Sequence, residues 1–146
     1  YNARRTFYTV HHADIPQGAL FPFGFGLSYT QYKYSSPVTD KTEYRRGDSV
    51  TVRIKIKNTG SVVGREIVQL YIRDEVATVI PREKELKRFA SIHLQPGEEK
   101  EIRFTIPSAD FSIYNNKMEK VLEPGSFIIG IGPNSSELNQ TKVYFL

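Results

Sequence analysis

Apolar and polar residues alternate with a period of two along most of the chain. Val50, Val52, Ile54 and Ile56 are separated by Thr51, Arg53, Lys55 and Lys57. Successive side chains of a strand point to opposite faces, so this run predicts a β-strand with a β-branched face turned inward. Ile102, Phe104 and Ile106 repeat the pattern against Glu101, Arg103 and Thr105, until Pro107 stops it. In residues 67–72, Val68, Leu70 and Ile72 face one way while Ile67, Gln69 and Tyr71 face the other. Two partly apolar faces predict a central strand. Leu86, Phe89, Ile92 and Leu94 carry a weaker pattern, ended by Pro96-Gly97.

Turn chemistry separates these runs. Asn58-Thr59-Gly60 predicts a turn, and Ser108-Ala109-Asp110 a bend. Phe111 to Tyr114 opens a predicted hairpin that turns at Asn115-Asn116 and returns over 119–122, before Glu123-Pro124-Gly125. Strands over 126–132 and 141–146 complete the set, joined by a polar loop over 133–140. The pattern amounts to about seven or eight short strands and no helix, which predicts an all-β, two-sheet antiparallel sandwich. A closed barrel is the alternative, because strand count alone does not determine closure.

Residues 1–30 read differently. Tyr1 to Gly18 has neither period and predicts an extended arm. The segment from Leu20 to Thr30 is rich in rings but interrupted by Pro22, Gly24 and Gly26, which forbid a regular helix and weaken a strand. Burying each phenylalanine is worth roughly 1.5–3 kcal/mol. Leu20, Phe21, Phe23, Phe25 and Tyr29 are therefore the candidate docking residues, set to lie against this domain or a neighbour. The expected division is a linker and docking arm over 1–30 and a sandwich domain over 31–146.

With 146 residues the chain suits one domain with its own core. Its net charge of +4 raises the question of nucleic acid. However, the basic residues alternate with carboxylates, as in Arg82-Glu83-Lys84-Glu85, rather than gathering on one face, so no nucleic-acid partner is expected. No apolar run approaches the roughly 20 residues that span a bilayer, and no membrane partner is expected. The absence of cysteine excludes disulfides and thiolate chemistry and leaves the compartment open. A chain that opens on Tyr1 without a signal pattern is expected to be a fragment or an already processed product.

Candidate chemistry is thin. Glu83 with Glu85, and Asp74 with Glu75, supply paired carboxylates. Glycosidic catalysis needs two carboxyls facing each other across roughly 5–9.5 Å. These pairs lie among lysines and arginines and read as solvated surface. His11, His12 and Asp14 lack further ligands at metal-binding spacing, and His93 stands alone. Gly24-Phe25-Gly26-Leu27-Ser28 lacks both the lysine of a phosphate loop and the flanking of a nucleophile elbow. Asn134-Ser135-Ser136 and Asn139-Gln140-Thr141 match the glycosylation sequon. No catalytic, cofactor-binding or metal-binding residue and no cofactor is predicted. The residues alone support a β-domain that binds, docks or stabilises.

The segment from Leu20 to Thr30 resembles the one that leads into the C-terminal fibronectin type III-like domain of family-3 glycoside hydrolases, the β-glucosidases and β-xylosidases. The resemblance continues in order through Asn58-Thr59-Gly60, Gly64, residues 68–72, Pro81 to Phe89, Leu94 to Glu98 and Glu123 to Phe127. Two departures are Arg88, where the family usually has glycine, and the inverted pair Pro81-Arg82. The resemblance implies an immunoglobulin/fibronectin type III-like sandwich without catalytic residues. It implies as partners the catalytic domains of the same parent chain and, at their cleft, an oligosaccharide substrate, with a periplasmic or secreted parent as the expectation. A carbohydrate-binding module presenting β-glucan or xylan chains is the alternative.

Overall fold

Val50, Val52, Ile54 and Ile56 have at most 1% of their surface exposed, as the alternation requires. A computed structural model describes residues 24, 26, 28–75 and 84–146. Among these, the short strands β1 (Tyr32–Tyr34), β2 (Val38–Thr39) and β3 (Glu43–Tyr44) precede the long β4 (Ser49–Asn58) and β5 (Gly64–Asp74). Then come β6 (Glu85–Leu94), β7 (Glu99–Pro107) and one 3-10 turn (Ser108–Phe111). The hairpin of β8 (Ile113–Tyr114) and β9 (Lys120–Val121) leads into β10 (Gly125–Gly132) and β11 (Asn139–Phe145).

In one sheet, β4 pairs with β7 along one edge and with β1 and β2 along the other. The second sheet runs β3-β11-β10-β5-β6. Pairing is antiparallel throughout both sheets except between β11 and β3. Among the described residues no ladder joins them, so the fold is an all-β, fibronectin type III-like sandwich and not a barrel. Its core takes Ile102, Phe104 and Ile106 from β7, Val68, Leu70 and Ile72 from β5, and Phe127, Ile129 and Ile131 from β10. Phe111, Phe127, Phe145 and Tyr44 close one end, with ring centroids 4.9–5.7 Å apart.

Asn58, wholly buried, ties several ends together. Its Nδ2 donates to the carbonyls of Val62 (2.8 Å) and Leu94 (3.0 Å). Its Oδ1 accepts from Thr30 Oγ1 (2.8 Å) and the Gly60 N–H (3.0 Å). All of the amide's donors are thereby used, which is what makes a buried asparagine tolerable.

The weak pattern in residues 86–94 has a physical cause. A bulge falls where Leu70 pairs with Arg88 but Tyr71 pairs with Leu86, leaving Lys87 without an opposite number. Ala90, Ile92 and Leu94 pack inward, while Phe89 lies outward and is 70% exposed. Three further details differ from the sequence pattern. Phe111 belongs to the 3-10 turn and the core rather than to the hairpin. The last strand starts at Asn139, and Asn134 and Ser135 of the polar loop are buried. That loop folds over β10, where a side chain on Gly132 would meet the Glu137 carbonyl at 1.8 Å.

Candidate docking surface

The outer faces of the two sheets differ sharply. On the four-stranded sheet, Lys55 stands opposite Glu101 and Lys57 opposite Glu99, with Arg53 and Arg103 beside them, all exposed. Opposite charges paired across a ladder make a solvated face. On the five-stranded sheet, Ile67 and Phe89 are exposed, yet Gln69 and Tyr71 on the same face are only 7% and 1% exposed. Gln69 lies directly opposite Phe89.

The leader reaches this second face. Gln69 Nε2 donates to the carbonyl of Gly24 (3.0 Å) and to that of Pro133 (2.9 Å). Gln69 Oε1 accepts from the Tyr71 hydroxyl at 2.5 Å. Of the five candidate docking residues, Leu20, Phe21, Phe23 and Phe25 lie outside the described residues. Tyr29 is fully exposed.

At the other polar feature, the Tyr34 hydroxyl donates to Glu66 Oε1 (2.8 Å), joining β1 to β5. Burial pushes the Glu66 carboxyl upward, the Tyr34 hydrogen bond opposes this, and the Glu137 charge adds to it. Burial, and then the Glu66 charge, also push the Tyr34 hydroxyl upward. Beside this pair an open cleft of about 690 Å³ is lined by Tyr32, Lys33, Tyr34, Pro133, Glu137 and Asn139, among others. The Asn139 Nδ2 in its wall already donates to the carbonyls of Tyr34 (3.0 Å) and Ser35 (2.8 Å).

A family model for the fibronectin type III-like domain matches residues 66–135. A β-xylosidase of Formosa agariphila is 46% identical over 116 residues, or 80% of this chain and 16% of that protein. A β-glucosidase of Bacteroides ovatus is 44% identical over 126 residues, or 86% of this chain and 17% of that one. Among solved structures, the β-glucosidase from Listeria innocua in complex with isofagomine matches with a TM-score of 0.88 and 35% identity. The match covers 99% of this chain and 22% of that one. A β-glucosidase involved in saponin metabolism, from intestinal bacteria, matches with a TM-score of 0.90 at 35% identity, over 99% of this chain and 20% of that one. The chain belongs to the fibronectin type III-like domains of family-3 glycoside hydrolases. It spans between 16% and 19% of the length of the first curated relatives it matches.

In this fibronectin type III-like domain, Glu75 and Glu85 are each engaged with a lysine. Glu75 pairs with Lys142 (2.8 Å) and accepts from Ser126 Oγ (2.6 Å). Glu85 pairs with Lys87 at 3.1 Å. Arg88 reaches Asp110 at 2.5 Å and ties β6 to the 3-10 turn. Among the described residues, no group of three His, Asp or Glu could hold a metal. His93 is exposed opposite Arg65, whereas His11, His12, Asp14 and Glu83 lie outside the described residues. Of the two sequon asparagines, Asn134 is 3% exposed, and its Oδ1 accepts from the N–H groups of Ser136 (2.9 Å) and Glu137 (3.0 Å). Sequence reasoning missed Glu66, although its parity with Val68 and Leu70 points it inward. It read the second face of β5 as partly apolar but had no means of seeing what covers it.

Proposed function

We propose that this domain is the non-catalytic C-terminal part of a family-3 β-glucosidase or β-xylosidase, and that it packs on the catalytic domains and stabilises them. The contrast between the two outer faces carries this reading. A face of paired charges gains nothing from losing water, whereas Ile67 and Phe89 lose apolar surface if a neighbour covers them. The leader reaches the same face at Gly24, so a preceding domain attached through it would arrive on that side. Leu20, Phe21, Phe23, Phe25 and Tyr29 would contribute apolar side chains to the same contact.

The test is a comparison in the full-length enzyme and in this chain alone. Replacing Ile67 and Phe89 by serine should lower the melting temperature of the enzyme by several degrees. The same pair should leave the isolated domain within about 0.5 kcal/mol of its starting stability. A control, Lys55→Ser with Lys57→Ser, should leave the enzyme unchanged. An equal effect from the control, or no effect from the apolar pair, would sink the proposal.

The second reading is a carbohydrate-binding module, and the cleft beside Tyr32 and Tyr34 is what favours it. Tyrosine rings and a carboxylate such as Glu137 suit a sugar's apolar face and hydroxyls. Two of the groups that would fix a sugar are spent within the protein, though. Tyr34 is bonded to Glu66, and Asn139 to two backbone carbonyls.

A further inference from the structure

The side chain of Gln69 has no business being dry. It points outward from β5, on the face away from the core, and yet only 7% of it is exposed. Its neighbour on that face, Tyr71, is 1% exposed and takes no part in the core cluster between the sheets. Outward residues of a sheet are normally wet, so something of this chain lies upon them. Two pieces of backbone are identifiable: residue 24 of the leader, and Pro133 at the start of the loop that folds over β10.

The polar atoms match without remainder in donors. Both neighbours of Nε2 are carbonyl oxygens, and the neighbour of Oε1 is a hydroxyl. Only one orientation of the amide satisfies all three, so its assignment follows from chemistry. The leader's side is equally specific. Gly24 has φ +78°, a conformation that side-chain-bearing residues rarely adopt. A Cβ there would also stand 2.1 Å from Gln69 Oε1. Glycine is therefore required twice at this position, once for its backbone and once for the closeness of its approach.

We propose that Gln69 is a clamp for the leader, holding the Gly24 carbonyl and the Pro133 carbonyl on one amide that Tyr71 holds in place. Gly24 is then held on the outer face of the five-stranded sheet and tied, through the same amide, to the loop over 133–138. The clamp uses only groups of this chain, so it stands or falls independently of the proposed role in a glycosidase.

Backbone and side-chain relaxation in the 146-residue chain tests the clamp. In the unaltered chain, the ¹⁵N–{¹H} NOE of Gly24 and Gly26 should match that of β5. The side-chain amide of Gln69 should exchange about tenfold or more slowly than that of exposed Gln95. Gln69→Ala should drop the Gly24 and Gly26 NOE toward that of a free tail and shift the amide of Asn134, with β4 and β7 unchanged. Should Gln69→Ala disturb the sandwich itself, Gly24→Ala decides, because that residue lies outside the core. It should release the leader and speed exchange of the Gln69 amide. Free-tail relaxation at Gly24 in the unaltered chain, or a Gly24→Ala variant in which neither signal moves, would overturn the clamp.

Discussion

Glu66 is the residue whose ionisation the fold resists. It occupies an inward position of β5, where burial favours the neutral acid and the nearby Glu137 carboxylate adds to that preference. The Tyr34 hydroxyl, donating to Oε1 at 2.8 Å, offsets only part of the cost. The folded protein thus binds this proton more tightly than the unfolded chain does. That contribution to stability is complete below the ordinary glutamate range and is lost as pH rises toward the elevated folded value. Glu66→Gln keeps an acceptor for Tyr34 and removes the charge. It should therefore raise the denaturation midpoint at neutral pH, with an advantage that shrinks to nothing by about pH 4. A midpoint difference unchanged between the two conditions would show that the buried charge is not the cause. The parity of Glu66 with Val68 and Leu70 was legible in the sequence. Its partner was not, since Tyr34 is 32 residues away along the chain.

Among the elements, the connection between β6 and β7 shows how a turn is written locally. The Glu98 N–H donates to the Gln95 carbonyl at 3.0 Å, with Pro96 and Gly97 between them. Gly97 has φ +77° and nothing within 4 Å of where a Cβ would stand. Its requirement for glycine is therefore one of backbone conformation alone. Gly97→Ala should cost about 1 kcal/mol, measured by urea denaturation, without altering the register of β6 and β7. The eight longer and hairpin strands lie where alternation and turn residues indicate. The strands β1, β2 and β3 escaped because each has only two or three residues, too few to display a period. They exist because the edges of β4 and β11 offer unpaired backbone groups. The bulge in β6 likewise hides its inward residues, because the phase changes partway along the strand.

For the whole molecule, the two sheets present different surfaces to the outside. Titrating this chain with β-glucan or xylan oligosaccharides should give millimolar binding or none, because the Tyr34 hydroxyl and the Asn139 amide in the cleft are already engaged. Micromolar affinity that Tyr32→Ala abolishes would instead establish the carbohydrate-binding reading. By itself the sequence determined which residues of β4 and β7 are interior, where the chain turns, and that the leader carries rings unsuited to water. These are local consequences, encoded in the two-residue period and the conformational limits of Gly, Pro and Asn. The tertiary structure alone decided that Gln69 and Tyr71 are dry, that Phe89 is wet, and that a carboxylate shares the interior with Tyr34. Burial depends on what a distant segment lays across a face, and no pattern within the face records that.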